Sequence, residues 1–76
     1  MDTLTISYQG QMITIPMEIK EKHFSEPDYI FYGKKGISLY HFRKEDNVWK
    51  LAYGTMPADM RDAIIKALSD RFDQDQ

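Results

Sequence analysis

Residue types that commonly carry catalysis or bind metals are few in this chain, and we begin with its two histidines. His23 lies in a charged polar stretch and His41 in an alternating apolar run. Neither completes the ligand spacing of a zinc site, and neither stands beside a nucleophile that it would activate. We therefore interpret His41 as an exposed strand residue opposite Lys50, and His23 as a loop residue.

The carboxylates also lack a catalytic or metal-binding arrangement. Asp70, Asp73 and Asp75 lie close in sequence, but the glycine turn and closing glutamate of an EF-hand loop are missing. The stretch 25–28, Ser-Glu-Pro-Asp, has no histidine base arranged with its serine and is most simply a turn. The sequence predicts no catalytic residue, no metal site and no cofactor, so we expect a protein that is not an enzyme.

A basic segment suggests one binding chemistry. Residues 33–50 carry an excess of positive charge among aromatic strands, and single-stranded nucleic acid is bound by positive grooves with exposed aromatic side chains. The candidate contacts are Lys34, Lys35, Arg43 and Lys44. These two basic pairs fall at opposite ends of the predicted strands, and the whole chain has a net charge of −2. Nucleic-acid binding is therefore the alternative hypothesis.

Composition limits the chain to one small folded domain. Its 76 residues are 42% hydrophobic and 13% aromatic, which is typical of a globular protein. A core of this size leaves about 3 to 5 kcal/mol of net stability, and without cysteine no disulfide can add to it. The first residues lack the basic and apolar regions of a signal peptide, and no apolar run would span a membrane. We expect a cytoplasmic location.

Two alternating segments predict an N-terminal β-hairpin, with strands over 3–8 and 12–19. With Gln9 and Gly10 as the loop, Ile6 lies opposite Ile13 and the apolar faces of the two strands coincide. Pro16 has no N–H to donate. The second strand is therefore expected to lack a neighbour on its far side at that point.

The next segment predicts a three-stranded meander, with strands over 29–32, 37–43 and 48–53 and turns over 33–36 and 44–47. In this register Tyr29 lies opposite Tyr40. Phe42 lies opposite Trp49, so aromatic side chains pair across the strands. The polar connection before the meander contains Phe24, which we expect to cover the margin of the core.

Both faces of the predicted meander carry apolar side chains that must be shielded from water. The aromatic face carries Tyr29, Phe31, Tyr40, Phe42, Trp49, Leu51 and Tyr53. The opposite face is predicted to be largely apolar as well, with Ile30, Tyr32, Ile37, Leu39 and Ala52. His41, Val48 and Lys50 lie on that face nearer the second turn.

Residues 57–72 predict an amphipathic helix, because apolar side chains recur every four positions at Met60, Ile64, Leu68 and Phe72. Residues 73–76 are expected to form a frayed tail. Five antiparallel strands and one helix make an α+β domain of two layers. We expect the helix to pack on the aromatic face.

One helix of this length covers one face of the sheet, so the second face is the main question that the sequence raises. A homodimer contact, curling of the first hairpin, and a ligand or partner are the three possible covers. We predict a non-catalytic interaction protein that self-associates or binds a protein partner through Ile30, Tyr32, Ile37 and Leu39. A tryptophan strand followed by Gly-x-x-Pro and a short helix is compatible with many small bacterial proteins and specific to no family.

Overall fold

The computed structural model describes residues 2–32 and 39–73 and has the predicted α+β architecture of two layers. Among these residues, five antiparallel strands follow one another in chain order across a single curled sheet. The elements are β1 (Asp2–Tyr8), β2 (Gln11–Lys20), β3 (Asp28–Tyr32), β4 (Leu39–Glu45), β5 (Val48–Tyr53) and α1 (Ala58–Phe72). The predicted turn over 33–36 lies outside the described residues.

The hairpin of β1 and β2 has the predicted register, with Ile6 opposite Ile13. Its loop consists of Gln9 and Gly10, and both residues have positive φ. Two positive φ values in a two-residue loop match the type I′ turn, whose twist suits antiparallel strands. Alternation of apolar residues therefore predicted this hairpin correctly.

β2 changes partners just beyond Pro16. It pairs with β1 as far as Met17 and with β3 only along Glu18–Lys20. The expected absence of a second neighbour beside Pro16 is confirmed, because proline lacks the N–H that such a neighbour would bond. The change of partner lets the sheet curl. Both edge strands, β1 and β5, consequently contact α1.

The predicted registers of the meander are wrong by two residues at both strand pairs. Tyr29 lies opposite Phe42 rather than Tyr40. Trp49 lies opposite Lys44 rather than Phe42. A shift by two residues leaves every side chain on its original face, so the alternating pattern cannot distinguish the two registers.

The turn between β4 and β5 has two residues rather than the predicted four. Asp46 and Asn47 both have positive φ, as a type I′ turn requires. Lys44 and Glu45 belong to β4 instead of the turn. This longer strand pair accounts for the two-residue shift in register.

A bulge in β5 changes the face on which the strand ends. Phe42 lies opposite Leu51 and His41 opposite Tyr53, so Ala52 is an extra residue. One extra residue reverses the alternation beyond it. The prediction that Tyr53 lies on the aromatic face is therefore wrong: its ring centroid is 5.3 Å from that of His41, on the face away from the helix.

The helix face of the sheet, meaning the face toward α1, carries the core. Ile64 and Leu68 of α1 are buried against it. The buried sheet residues of this core are Leu4, Ile6, Met17, Tyr29, Phe31, Phe42 and Trp49. The Tyr29 ring lies 5.2 Å from that of Trp49 and 4.9 Å from that of Phe72. The helix thus packs on the aromatic side, as predicted.

Hydrogen bonds define both ends of α1. The Arg61 N–H donates to the Pro57 carbonyl at 3.0 Å, and the Asp73 N–H donates to the Ser69 carbonyl at 2.9 Å. Asp73, which was predicted to begin a frayed tail, caps the helix; residues 74–76 lie outside the described part of the chain. Within that described part, no helix combines the length and the apolar character needed to cross a membrane.

The connection between β2 and β3 stays in solvent. Phe24, which was predicted to cover the margin of the core, is fully exposed, so that prediction is wrong. Its ring contacts the neighbouring His23 ring at a centroid distance of 6.0 Å. The charged and polar residues on either side keep this connection at the surface.

Candidate functional site

The open face, meaning the face of the sheet away from α1, is organised around a buried carboxylate. Asp28 begins β3 and is 5% exposed. Its carboxylate oxygens lie 2.9 Å from Arg43 Nε, 3.0 Å from Lys22 Nζ and 3.7 Å from His41 Nδ1. A carboxylate at this depth requires such partners, because burying an unpaired charge is costly.

The pKa of Asp28 reports this arrangement. Burial raises the pKa, but hydrogen bonds from Arg43 and Lys22 outweigh burial, and the pKa is lowered below its ordinary value of 3.8. The side chain is therefore ionised at neutral pH. It holds Arg43 and Lys22 in fixed positions rather than acting as an acid.

The ion pairs continue along the open face toward the second turn. Glu45 Oε2 lies 3.3 Å from Arg43 Nη1, and Glu45 Oε1 lies 3.1 Å from Lys50 Nζ. Hydrogen bonds from Lys50 and then Arg43 lower the pKa of the Glu45 carboxyl. The open-face ion network, consisting of Lys22, Asp28, Arg43, Glu45 and Lys50, therefore alternates in charge from the β2–β3 connection across three strands.

Two tyrosine side chains of the same face remain accessible. The Tyr32 hydroxyl donates to Glu18 Oε1 at 2.7 Å, and this bond, followed by partial burial, raises the pKa of Tyr32. Tyr32 is 44% exposed and Tyr53 is 61% exposed. Val48, at the turn end of the same face, is 58% exposed. The open face thus combines fixed charges with exposed apolar surface.

The structure places the four residues predicted to bind a partner in different environments. Ile30 is only 6% exposed, between Glu18 of β2 and His41 of β4. Tyr32 is accessible, as stated above. Ile37 lies outside the described residues. Leu39 pairs through its backbone with Tyr32 at the start of β4.

The expectation of a largely apolar second face is wrong for the described residues. The sequence interpretation assigned Asp28 to a turn and therefore missed its pairing with Arg43. Alternation along the strands could have revealed this pairing. Asp28 precedes Ile30 by two positions and Arg43 follows His41 by two positions. Because Ile30 and His41 lie opposite each other, Asp28 and Arg43 also lie opposite each other on the same face. No comparable pattern in the sequence predicts the one-residue bulge that brings Tyr53 to this face.

The comparisons with known proteins add no family. The chain matches no protein-family model, no curated protein and no solved structure. The site is therefore interpreted from its own geometry. Within residues 2–32 and 39–73, no cluster of three or more histidine, cysteine or acidic side chains is arranged to hold a metal ion.

The basic residues of the nucleic-acid hypothesis are not brought together in the described structure. Lys34 and Lys35 lie outside the described residues. Arg43 belongs to the open-face ion network, whereas Lys44 points to the helix face, where its Nζ lies 2.5 Å from Asp73 Oδ1. Adjacent strand residues point to opposite faces, which separates this pair. Both side chains are paired with carboxylates of their own chain.

A second cluster fastens the end of α1 to β5. Asp73 Oδ2 accepts hydrogen bonds from Trp49 Nε1 at 2.9 Å and from Ser69 Oγ at 3.0 Å. The Lys44 bond, followed by the Trp49 bond, lowers the pKa of Asp73. This cluster satisfies the polar edge of a buried indole and holds the helix on the sheet, which is a structural role.

Proposed function

We propose that this protein is a small, non-catalytic interaction protein that binds a protein partner through the open face of its sheet. The observation that carries the proposal is the exposure of Tyr32 and Tyr53 on the same face as the paired Arg43. Tyrosine and arginine are enriched at the centres of protein interfaces, where they contribute most of the binding energy. The cytoplasm is the compartment that we propose, on the sequence grounds given above.

The paired charges suit such a surface. Arg43 is held by Asp28 and Glu45 before any partner arrives, so little side-chain freedom is lost on binding. The charges that a partner would cover already have counter-ions, which lowers the cost of removing them from water. A partner of this face therefore needs apolar groups for the tyrosines and hydrogen-bond acceptors near the remaining donors of Arg43. No described contact favours nucleic acid in its place.

The test is affinity capture with the immobilised protein from a lysate of the source organism. We expect a specific protein to be retained at least tenfold less by the double variant Tyr32→Ala, Tyr53→Ala. Phe24→Ala is the matched control, because it removes a fully exposed aromatic ring away from the open face. Circular dichroism checks that both variants are folded. Equal retention by the double variant and the control, or capture of nucleic acid alone, would contradict the proposal.

A further inference from the structure

β1 is an edge strand whose outer backbone groups face away from β2. In a hairpin with a two-residue loop, Tyr8 and Gln11 form the closing hydrogen-bonded pair, so Thr3, Thr5 and Ser7 direct their N–H and C=O groups outward. Two observations agree with this assignment. Pro16, which has no N–H, lies opposite Thr3, and the Thr3 carbonyl accepts a hydrogen bond from Arg71 of α1 instead of from β2.

The two edges of the sheet differ in how they are protected against pairing with another strand. β5 contains a bulge at Ala52 and a lysine at position 50, which are common means of blocking an edge. β1 runs for seven residues in unbroken register with neither lysine, proline nor bulge. An edge of this kind is a template for strand pairing.

α1 lies along the same edge and runs antiparallel to β1. Arg71 lies beside the start of the strand, where its guanidinium is 3.5 Å from the Asp2 carboxylate. At the other end, the pKa of Tyr8 is raised by partial burial and by the nearby Asp59 carboxylate. Between these ends, Ala63 and Ala67 line an open groove against the strand. The edge side of the helix therefore has an acid at one end and a base at the other. Between them lie the two alanines and an ion pair of Lys66 with Asp70, which lines the same groove.

We propose that β1 pairs antiparallel with β1 of a second copy of this chain, about a two-fold axis at Thr5. The axis places each Thr5 opposite its equivalent and Thr3 opposite Ser7, so the outward groups of the central strand meet partners. The Thr3 carbonyl already accepts a bond from Arg71, and its second lone pair accepts the Ser7 N–H of the other copy. No like charges face each other along the strands. The two-fold axis also brings Asp59 on the helix of one copy toward Arg71 on the helix of the other. The small side chains of Ala63 and Ala67 allow the two helices to approach each other.

A second copy suits this edge, because Asp59 at one end of the helix and Arg71 at the other meet their counterparts when one copy is reversed. A two-fold axis supplies that reversal. A dimer also adds stability to a 76-residue chain that has no cysteine for a disulfide. The resulting ten-stranded sheet has both open faces on one side. Self-association therefore leaves the surface of the proposed function accessible and does not depend on it.

The dimer is tested by introducing a positive charge at the two-fold axis. Thr5→Lys places two lysines directly opposite each other in the dimer, where like charges destabilise a strand pair. Thr14→Lys is the matched control, because Thr14 is the partner of Thr5 on β2, is exposed on the same face and lies one strand away from the proposed two-fold axis. Light scattering across a range of concentrations should give about twice the 9.0 kDa chain mass for the wild type and the control. The Thr5→Lys variant should dissociate at concentrations at least tenfold higher.

A crosslinking measurement keeps the proposal testable if charge disturbs the fold. Directly opposed residues of a hydrogen-bonded pair have Cα atoms about 5.5 Å apart, within the range that a disulfide spans. Because the natural chain has no cysteine, mild oxidation of Thr5→Cys should yield a covalent dimer and oxidation of Thr14→Cys should not. A monomeric wild type at all concentrations, equal effects of the two lysine variants, or equal crosslinking at both positions would overturn the proposal.

Discussion

Asp28 shows how one side chain determines the character of a whole face. Its carboxylate is 5% exposed and lies within hydrogen-bond distance of Arg43 and Lys22. The side chains of both cations are partly exposed to solvent. The cluster is therefore held in place by the buried carboxylate and remains accessible through Arg43 and Lys22. Ile30 is buried beside it without contacting the main core cluster. At this scale, a polar contact replaces the apolar patch that strand alternation predicted.

The Asp28→Asn substitution tests this cluster. The amide cannot accept two charge-assisted hydrogen bonds as a carboxylate does, so the free energy of unfolding should fall by about 1 to 3 kcal/mol. Urea unfolding monitored by circular dichroism measures the change. Asp62→Asn is the control, since the Asp62 side chain is 69% exposed and its pair with Arg61 is expected to contribute little. Equal effects of the two substitutions would mean that Asp28 has no special structural role.

The lowered pKa of Asp28 gives the same cluster a pH dependence of known sign. A carboxyl whose folded pKa lies below its unfolded value stabilises the fold fully above the unfolded pKa. That stabilisation is lost as the pH falls from about the ordinary value of 3.8 through the lower folded pKa. The loss of stability in acid should therefore be shallower in Asp28→Asn than in the wild type. An equally steep loss of stability in acid for the variant and the wild type would contradict the lowered pKa of Asp28.

At the scale of elements, the two tight turns set the strand registers. Gln9–Gly10 and Asp46–Asn47 each place two consecutive residues at positive φ. Such loops match the twist of the flanking strands, so loop length selects the register that apolar alternation leaves open. The bulge at Ala52 acts at the same scale, because one extra residue carries Tyr53 from the helix face to the open face.

The turns predict opposite effects for two substitutions. Asn47→Gly should stabilise the protein by about 0.5 kcal/mol, because glycine adopts a positive φ without the steric cost that other residues meet. Gly10→Ala should destabilise it by about 1 to 2 kcal/mol. Open space surrounds the position of the added Cβ at Gly10, so the cost arises from its φ of +77° alone. Thermal unfolding measures both changes, and a stabilising Gly10→Ala would contradict the turn assignment.

At the scale of the whole molecule, one helix contacts both edges of the curled sheet. α1 packs against β1 and β5, while the strands between them supply Phe31 and Phe42 to the same core. Two contacts that hold the helix differ in kind. Leu68 is fully buried in the core, and Asp73 bonds the helix end to Trp49. A single small core therefore carries the stability of the chain.

Leu68→Ala tests that dependence. Truncation of a fully buried leucine costs about 2 to 5 kcal/mol, which is comparable to the entire stability of a domain this small. We expect a largely unfolded population at 25 °C by circular dichroism. Met12→Ala, at a side chain that is 72% exposed, should change the free energy of unfolding by less than about 0.5 kcal/mol. A folded Leu68→Ala variant with a normal melting transition would show that the core is larger than one helix and one sheet.

Much of the fold was determined by local pattern in the sequence alone. The period of two along 3–8 and 12–19 predicted the first hairpin with its register, and the four-residue spacing from Met60 to Phe72 predicted the helix. Both patterns report directly which side of an element is buried. The aromatic face was predictable for the same reason, since a register error of two residues leaves it unchanged.

Only the tertiary structure decided the registers of the meander, the position of Tyr53 and the nature of the open face. Each depends on a contact between residues far apart in the sequence: Asp28 meets Arg43 across β3 and β4, and Tyr53 meets His41 across a bulge. Periodicity gives the direction of a side chain but not its partner across the sheet. Turn length and one inserted residue supply that information, and they act only once the strands are paired.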